Sequence, residues 1–298
     1  MINLENKRLI GMIFALIGGV FWGLSGVFGQ YLFINNGLTA KWLVSVRLFS
    51  AGLLLLIPVI IKSGKKVFDV WKNPRNIPML ILYSIFGMGL CQFSYYCAVE
   101  LSNAGTATVI QYTGPALIML YFCVRYRQKP TPRQIIALLL SMVGIILLAT
   151  KGDITTLSIS HEALFWGIIS AIALAAYNIM PGKLMYHHGT LSIIGWGMFL
   201  SGIMLSLYVK PWHVIGTWNT QGYVAMAVVI IVGTILAFSF YMEGVKLAGA
   251  QTASLLASIE PVTATIATVL MLNISFTIAE IIGILFILIA VLILSLKK

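Results

Sequence analysis

Residues Tyr95–Pro115 read YYCAVELSNAGTATVIQYTGP, and residues Tyr241–Pro261 read YMEGVKLAGAQTASLLASIEP. Sliding the first stretch by 146 residues without a gap matches Tyr95 to Tyr241, Val99 to Val245, Leu101 to Leu247, Ala104 to Ala250, Thr106 to Thr252, Ala107 to Ala253 and Pro115 to Pro261, seven identities in 21 positions. In both copies an apolar helix ends, a small-residue turn follows (Ser102 to Gly105, Ala248 to Gln251), and a second helix starts and carries a proline mid-span. A duplicated helical hairpin in a hydrophobic chain points to a transporter built of two halves.

The composition fixes the solvent. Hydrophobic residues make up 60%, charged residues 9%, and mean hydropathy is +0.99, whereas a soluble domain is about one quarter charged. The apolar runs are continuous rather than alternating, which excludes a strand barrel and leaves helices spanning hydrocarbon. Three cysteines, Cys91, Cys97 and Cys123, lie in or beside apolar helices and suit buried thiols rather than a disulfide. The run after Lys7 and Arg8 has no clear cleavage site, so it reads as a retained first helix.

Ten segments follow, over about 9–34, 42–61, 77–98, 104–124, 132–150, 162–183, 190–209, 221–243, 251–272 and 277–296. With the N-terminus inside, fifteen cations are cytoplasmic: Lys7, Arg8, Lys62, Lys65, Lys66, Lys72, Arg75, Arg125, Arg127, Lys129, Arg133, Lys183, Lys246, Lys297 and Lys298. Only Lys41, Lys151 and Lys210 fall outside. That bias places both termini in the cytoplasm and explains the net charge of +11 without nucleic acid. Five helices per half is odd, so the second half enters the membrane from the opposite side. The expected fold is an all-α integral membrane protein, ten transmembrane helices as two inverted five-helix repeats, residues 1–151 and 160–298. Gly11, Ala15 and Gly19 match Gly167, Ala171 and Ala175 at an offset of 156, stripes that packing alone explains.

No metal cluster, phosphate loop or nucleophile triad is present, so neither catalytic residues nor a cofactor is expected. His187 and His188 point about 100° apart on a helix and do not chelate together; His161 and His213 sit at loop edges. Glu260 is the carboxylate deep inside an apolar run, directly before Pro261. It is a candidate proton carrier, or an anionic contact for a cationic or zwitterionic solute. The alternative is that it hydrogen-bonds backbone groups that Pro261 frees. Glu100 and Glu243 sit at helix ends and suit an interface, and Glu280 opens the last helix, where an acid complements the dipole.

Thr108, Gln111, Tyr112 and Pro115 share one face of the fourth helix; Gln92, Tyr95 and Tyr96 share one of the third. Lipid penalises glutamine, so these faces should turn inward. Trp22 and Ser25 of the first helix, Tyr177 and Asn178 of the sixth, and Ser258 of the ninth complete the candidate substrate-binding set, with Pro115 and Pro261 breaking their helices. Arg47, near the outer end of the second helix, is expected to snorkel outward rather than pair within the bundle.

These residues resemble the EamA-like family of the drug/metabolite transporter superfamily over nearly the whole chain. The likeness is carried by NAGTATVIQYTGP and GAQTASLLASIEP, Phe21-Trp22-Gly23, Arg47, Gln134 and Gly144. The family's Gly-Glu before the fifth helix of each repeat is replaced by Gln128-Lys129 and Ile274-Ser275. The resemblance implies a central cavity lined by helices one, three, four, six, eight and nine, with five and ten outside it. It also implies small organic solutes as substrates, amino acids among them, moved by some members outward and by others inward. The expected function is secondary transport, more often export, at the cytoplasmic membrane, with lipid and a small-molecule substrate as partners and protons as a candidate coupling ion. An intramembrane enzyme and a non-transporting interaction protein are the rival classes; neither accounts for a polar midplane.

Overall fold

The computed structural model describes residues 4–127, 129–153 and 158–295, so Gln128, Lys297 and Lys298 of the reading above lie outside the described residues. Among the described residues the principal helical segments are α1 Leu4–Asn36, α2 Ala40–Ser63, α3 Asn76–Leu101, α4 Ala104–Arg125, α5 Pro132–Thr150, α6 His161–Ile179, α7 Thr190–Val209, α8 Thr220–Ala248, α9 in two pieces Ala250–Ala257 and Ile259–Leu272, and α10 Ile278–Ser295. Among the described residues there is no strand. Among those residues eight helices are long and apolar enough to cross a membrane, and two shorter apolar ones, Ile259–Leu272 and Ile278–Ile293, accompany them. The segment expected over 162–183 ends at Ile179, and a short helix Gly182–His188 follows.

Starts are set by local chemistry. Asn103, Thr131, Ser160 and Asn219 each precede a helix and accept a backbone N–H three residues on. Thr277 and Glu280 bond reciprocally at the head of α10, so Glu280 caps as well as complementing the dipole.

Small residues set which helices meet. A Cβ on Gly52 of α2 would lie 2.4 Å from the Phe199 nitrogen of α7, and one on Gly202 would lie within the same reach of Phe49. Only glycine permits such approach. Gly195 meets Leu56, so residue numbers fall along α7 as they rise along α2, and the pair is antiparallel. Gly144 and Gly283 do the same for α5 and α10, and Gly105 against Thr265 for α4 and α9. Gly11, Gly18 and Gly244 seat α1 on α8, while Gly87 against Tyr177 and Phe93 against Trp166 seat α3 on α6. The pairing obeys an exchange rule. Advancing each helix by five maps α1–α8 onto α6–α3 and returns α2–α7, α4–α9 and α5–α10 to themselves.

Both α3 and α8 widen to π-helix, over Tyr83–Gly89 and Val228–Leu236, and the 146-residue offset lays one stretch over the other. Both α4 and α9 are broken rather than continuous. The helical pieces Ala104–Gln111 and Gly114–Arg125 flank a tightened turn in which Thr113 donates to the Ile110 carbonyl at 3.1 Å, and Ser258 divides α9. Each proline lies in the first turn of the second piece, where its missing N–H costs no helical bond within that piece.

Candidate functional site

The two breaks face each other. Pro261 leaves the Ala257 carbonyl without its helical donor, and the Tyr112 hydroxyl supplies one at 3.1 Å while also lying 2.9 Å from Glu260 Oε2. Tyr112, not Glu260, therefore satisfies the backbone that the proline frees. Glu260 remains on the wall of a cavity of about 920 Å3 centred on this crossing.

Of the residues proposed from sequence, Trp22, Gln92, Tyr95, Tyr96, Gln111, Tyr112, Pro115, Tyr177, Asn178, Ser258 and Glu260 line that cavity. Thr108 and Pro261 stand behind the wall. Thr108 is fully buried with its Oγ1 2.9 Å from the Tyr95 hydroxyl, and so fixes the ring rather than facing the space. Trp22 is wedged between Phe238 and Tyr241, Gln111 donates to Cys91 Sγ at 3.6 Å, and Asn178 donates to its own helix at Leu174. The α2 and α7 helices, which are not among those the resemblance implied as lining, contribute Arg47, Thr190 and Ile194. The α5–α10 pair lies largely apart, but Gln134 and Val291 reach the cavity.

Arg47 corrects the sequence reading. It does not snorkel: it is 4% exposed and turned into the bundle. Nε donates to Thr234 Oγ1 at 2.9 Å, one terminal nitrogen to Gln92 Oε1 at 2.8 Å, and the other approaches the Gly233 carbonyl at 3.4 Å. The guanidinium also lies 5.1 Å from the Tyr96 ring centre. The π-helical stretch of α8 presents Gly233 and Thr234 to it, which the α2 sequence gives no means of anticipating. A guanidinium at hydrocarbon depth costs about 2.5–3.5 kcal/mol on the most lenient scale, and intramembrane hydrogen bonds average about 0.6 kcal/mol, so three offset only roughly 2. Among the described residues Arg47 has no ion-pair partner.

The cavity extends to the end of the bundle that carries Lys129 and Thr131. The opposite end is tied shut. Gln30 accepts the Ala104 N–H at 2.8 Å, Glu100 accepts the Ala40 N–H at 2.9 Å, Asn36 and Thr217 exchange bonds of 2.7 and 2.9 Å, and Tyr31 donates to Gln221 at 2.9 Å. Glu243 pairs with Lys246 at 2.8 Å away from the cavity, and His188 contacts Asn76 at 3.0 Å. Among the described residues no group of three or more His, Cys, Asp or Glu is placed to hold a metal ion.

An all-helical bundle closed at one end around a cavity with charged and aromatic walls has the form of a multi-pass membrane transporter. The EamA-like transporter family matches residues 9–150 and again 161–296. The chain is 38% identical over 292 residues to the uncharacterized inner membrane transporter YicL of Salmonella typhimurium, covering 97% of this chain and 96% of that one. It is 21% identical over 267 residues to the uncharacterized transporter YcbK of Bacillus subtilis, covering 86% and 83%. One solved protein structure, 16% identical and covering 97% of this chain and 96% of its own, superposes with a TM-score of 0.62 and supports the fold alone. The chain belongs to the EamA-like transporter family and is a multi-pass protein of the cytoplasmic membrane.

Proposed function

We propose that this protein is a secondary active transporter that exports a small organic metabolite, an amino acid or a related zwitterionic or cationic solute, by alternating access around the cavity between α4 and α9. The observation that carries this reading is the position of Glu260, on the wall of a large cavity and directly after a break in its own helix. Lining residues Trp22, Gln92, Tyr95, Tyr96, Gln111, Tyr112, Tyr177, Asn178 and Ser258 contact the solute, with Thr108 steadying Tyr95. Glu260 contacts its cationic group and carries the coupling proton. No cofactor takes part.

The chain crosses the membrane ten times with both termini cytoplasmic, as inverted repeats over 1–151 and 160–298. The antiparallel pairs α2–α7, α4–α9 and α5–α10 and the placement of the cations support this topology. Lys129 then marks the cytoplasmic side, and the structure corresponds to the inward-open state. Rocking of one half on the other would open the end held by Gln30, Asn36 and Glu100 and close the end at Lys129.

Purified protein in proteoliposomes loaded with labelled amino acids tests this. Efflux that accelerates under an imposed proton gradient, and is lost with Glu260→Gln, is expected. A protein that binds amino acids but gives no flux in either direction under any gradient refutes transport.

A further inference from the structure

We infer that Arg47 docks a carboxylate of the transported solute, so that the solute must carry an anionic group as well as the cationic group assigned to Glu260. The inference rests on the cavity being the solute site.

Arg47 is buried on the cavity wall, and its recorded partners, Thr234, Gln92 and the Gly233 carbonyl, are all neutral. Three of its five N–H donors are engaged, which leaves one on each terminal nitrogen for an anion. Tyr96 covers the cation without neutralising it. Gln92 lines the same wall and spends only its carbonyl oxygen on Arg47, so its amide can donate to the same anion.

The contacts Gly52–Phe199 and Gly202–Phe49 exchange under an offset of 150, which sets Arg47 of α2 opposite Gly197 of α7. A Cβ on Gly197 would meet the Tyr83 ring at 2.6 Å, so an aromatic ring fills the corresponding space in the second half. The offset of 146 sets Glu260 opposite Gly114, and Leu174 fills that space at 2.9 Å. The duplicated scaffold therefore closes with an uncharged neighbour at both places. Each charge is an addition to it, of opposite sign, on the wall of one cavity. They form no ion pair with each other among the described residues, and Glu260 is held by Tyr112 instead. A solute bearing both an ammonium and a carboxylate completes both poles; an amine completes only one and leaves the guanidinium desolvated and unmatched.

The test is direct binding by the full-length protein in lipid nanodiscs. Each proteinogenic amino acid is titrated singly, and for every one that binds, its carboxamide and its decarboxylated amine are titrated too. We expect the acid to bind at least about tenfold more tightly than either analogue. In Arg47→Gln the ratio of acid to carboxamide should fall below about threefold through loss of acid affinity, with carboxamide affinity kept. In Glu260→Gln the preference for acid over carboxamide should persist while both weaken. Equal binding of acid and carboxamide to the unmodified protein overturns the assignment, as does binding of no amino acid. So does an Arg47→Gln protein that loses acid and carboxamide alike, which is the mark of a pin for α8. The unmodified protein decides the matter on its own if Arg47→Gln does not fold. Preference for the acid without flux across vesicles would refute transport and leave Arg47 as assigned; equal flux of amines and acids would do the reverse.

Discussion

The Tyr112 hydroxyl shares its single proton between two acceptors on one broken helix, a carbonyl and a carboxylate. Tyr112→Phe keeps the ring and removes both bonds, leaving the Ala257 carbonyl unsatisfied, so folded protein should be less stable by about 1–3 kcal/mol in a detergent melt. Glu260→Gln preserves shape and deletes the titratable charge; proton-driven flux should vanish, and unchanged transport across pH would make Glu260 structural. Gln111 makes one weak contact to sulfur, so Gln111→Leu should lower solute affinity about fivefold with little change in melting temperature, in line with one neutral hydrogen bond. A variant that unfolds readily yet binds normally when folded would make Gln111 interhelical glue. Glu260 and Gln111 were legible in the sequence because polar groups inside an apolar run have few stable places to go. Arg47 was not, because two of its three hydrogen-bond partners, Thr234 and Gly233, lie on a helix nearly two hundred residues later.

Close helix pairs depend on glycine where backbone meets backbone. Gly52→Leu would drive a side chain into the Phe199 nitrogen, which no rotamer avoids, and should separate α2 from α7. A cost of roughly 1–3 kcal/mol or more is expected in the melt, as for other overpacked sites. Gly182→Ala is the control, since nothing lies within 4 Å of its would-be Cβ and its backbone is helical; it should melt at or slightly above the parent temperature. The duplicated hairpin was legible as elements because caps and apolar runs are local signals. The breaks in α4 and α9 were foreshadowed by Pro115 and Pro261, which the sequence marks as helix-breaking. The π-helical stretches of α3 and α8 had no local signal: Thr234 donates to the Val229 carbonyl five residues back, and Gly233 is held by α2.

For the whole molecule, sidedness is the property that composition reaches and packing alone does not. With Cys91, Cys97 and Cys123 replaced by serine, Lys210→Cys should react with an impermeant thiol reagent added to intact cells, and Arg75→Cys only after permeabilisation. Equal labelling of both from outside would overturn the inverted ten-helix topology. The cation distribution carries this expectation because a charge's cost of crossing acts on each loop as it inserts. The shape of the cavity needed three dimensions, as residues from α1, α2, α3, α4, α6, α8 and α9 meet there.

The exchange rule among helix pairs means that the two halves present each other with nearly the same surface, as the subunits of an isologous dimer do. Such an interface carries its own specificity and does not depend on a covalent tether. Severing the chain between α5 and α6 and co-expressing residues 1–153 with 158–298 should therefore yield fragments that find one another in the bilayer, recovered together on an affinity tag attached to either one.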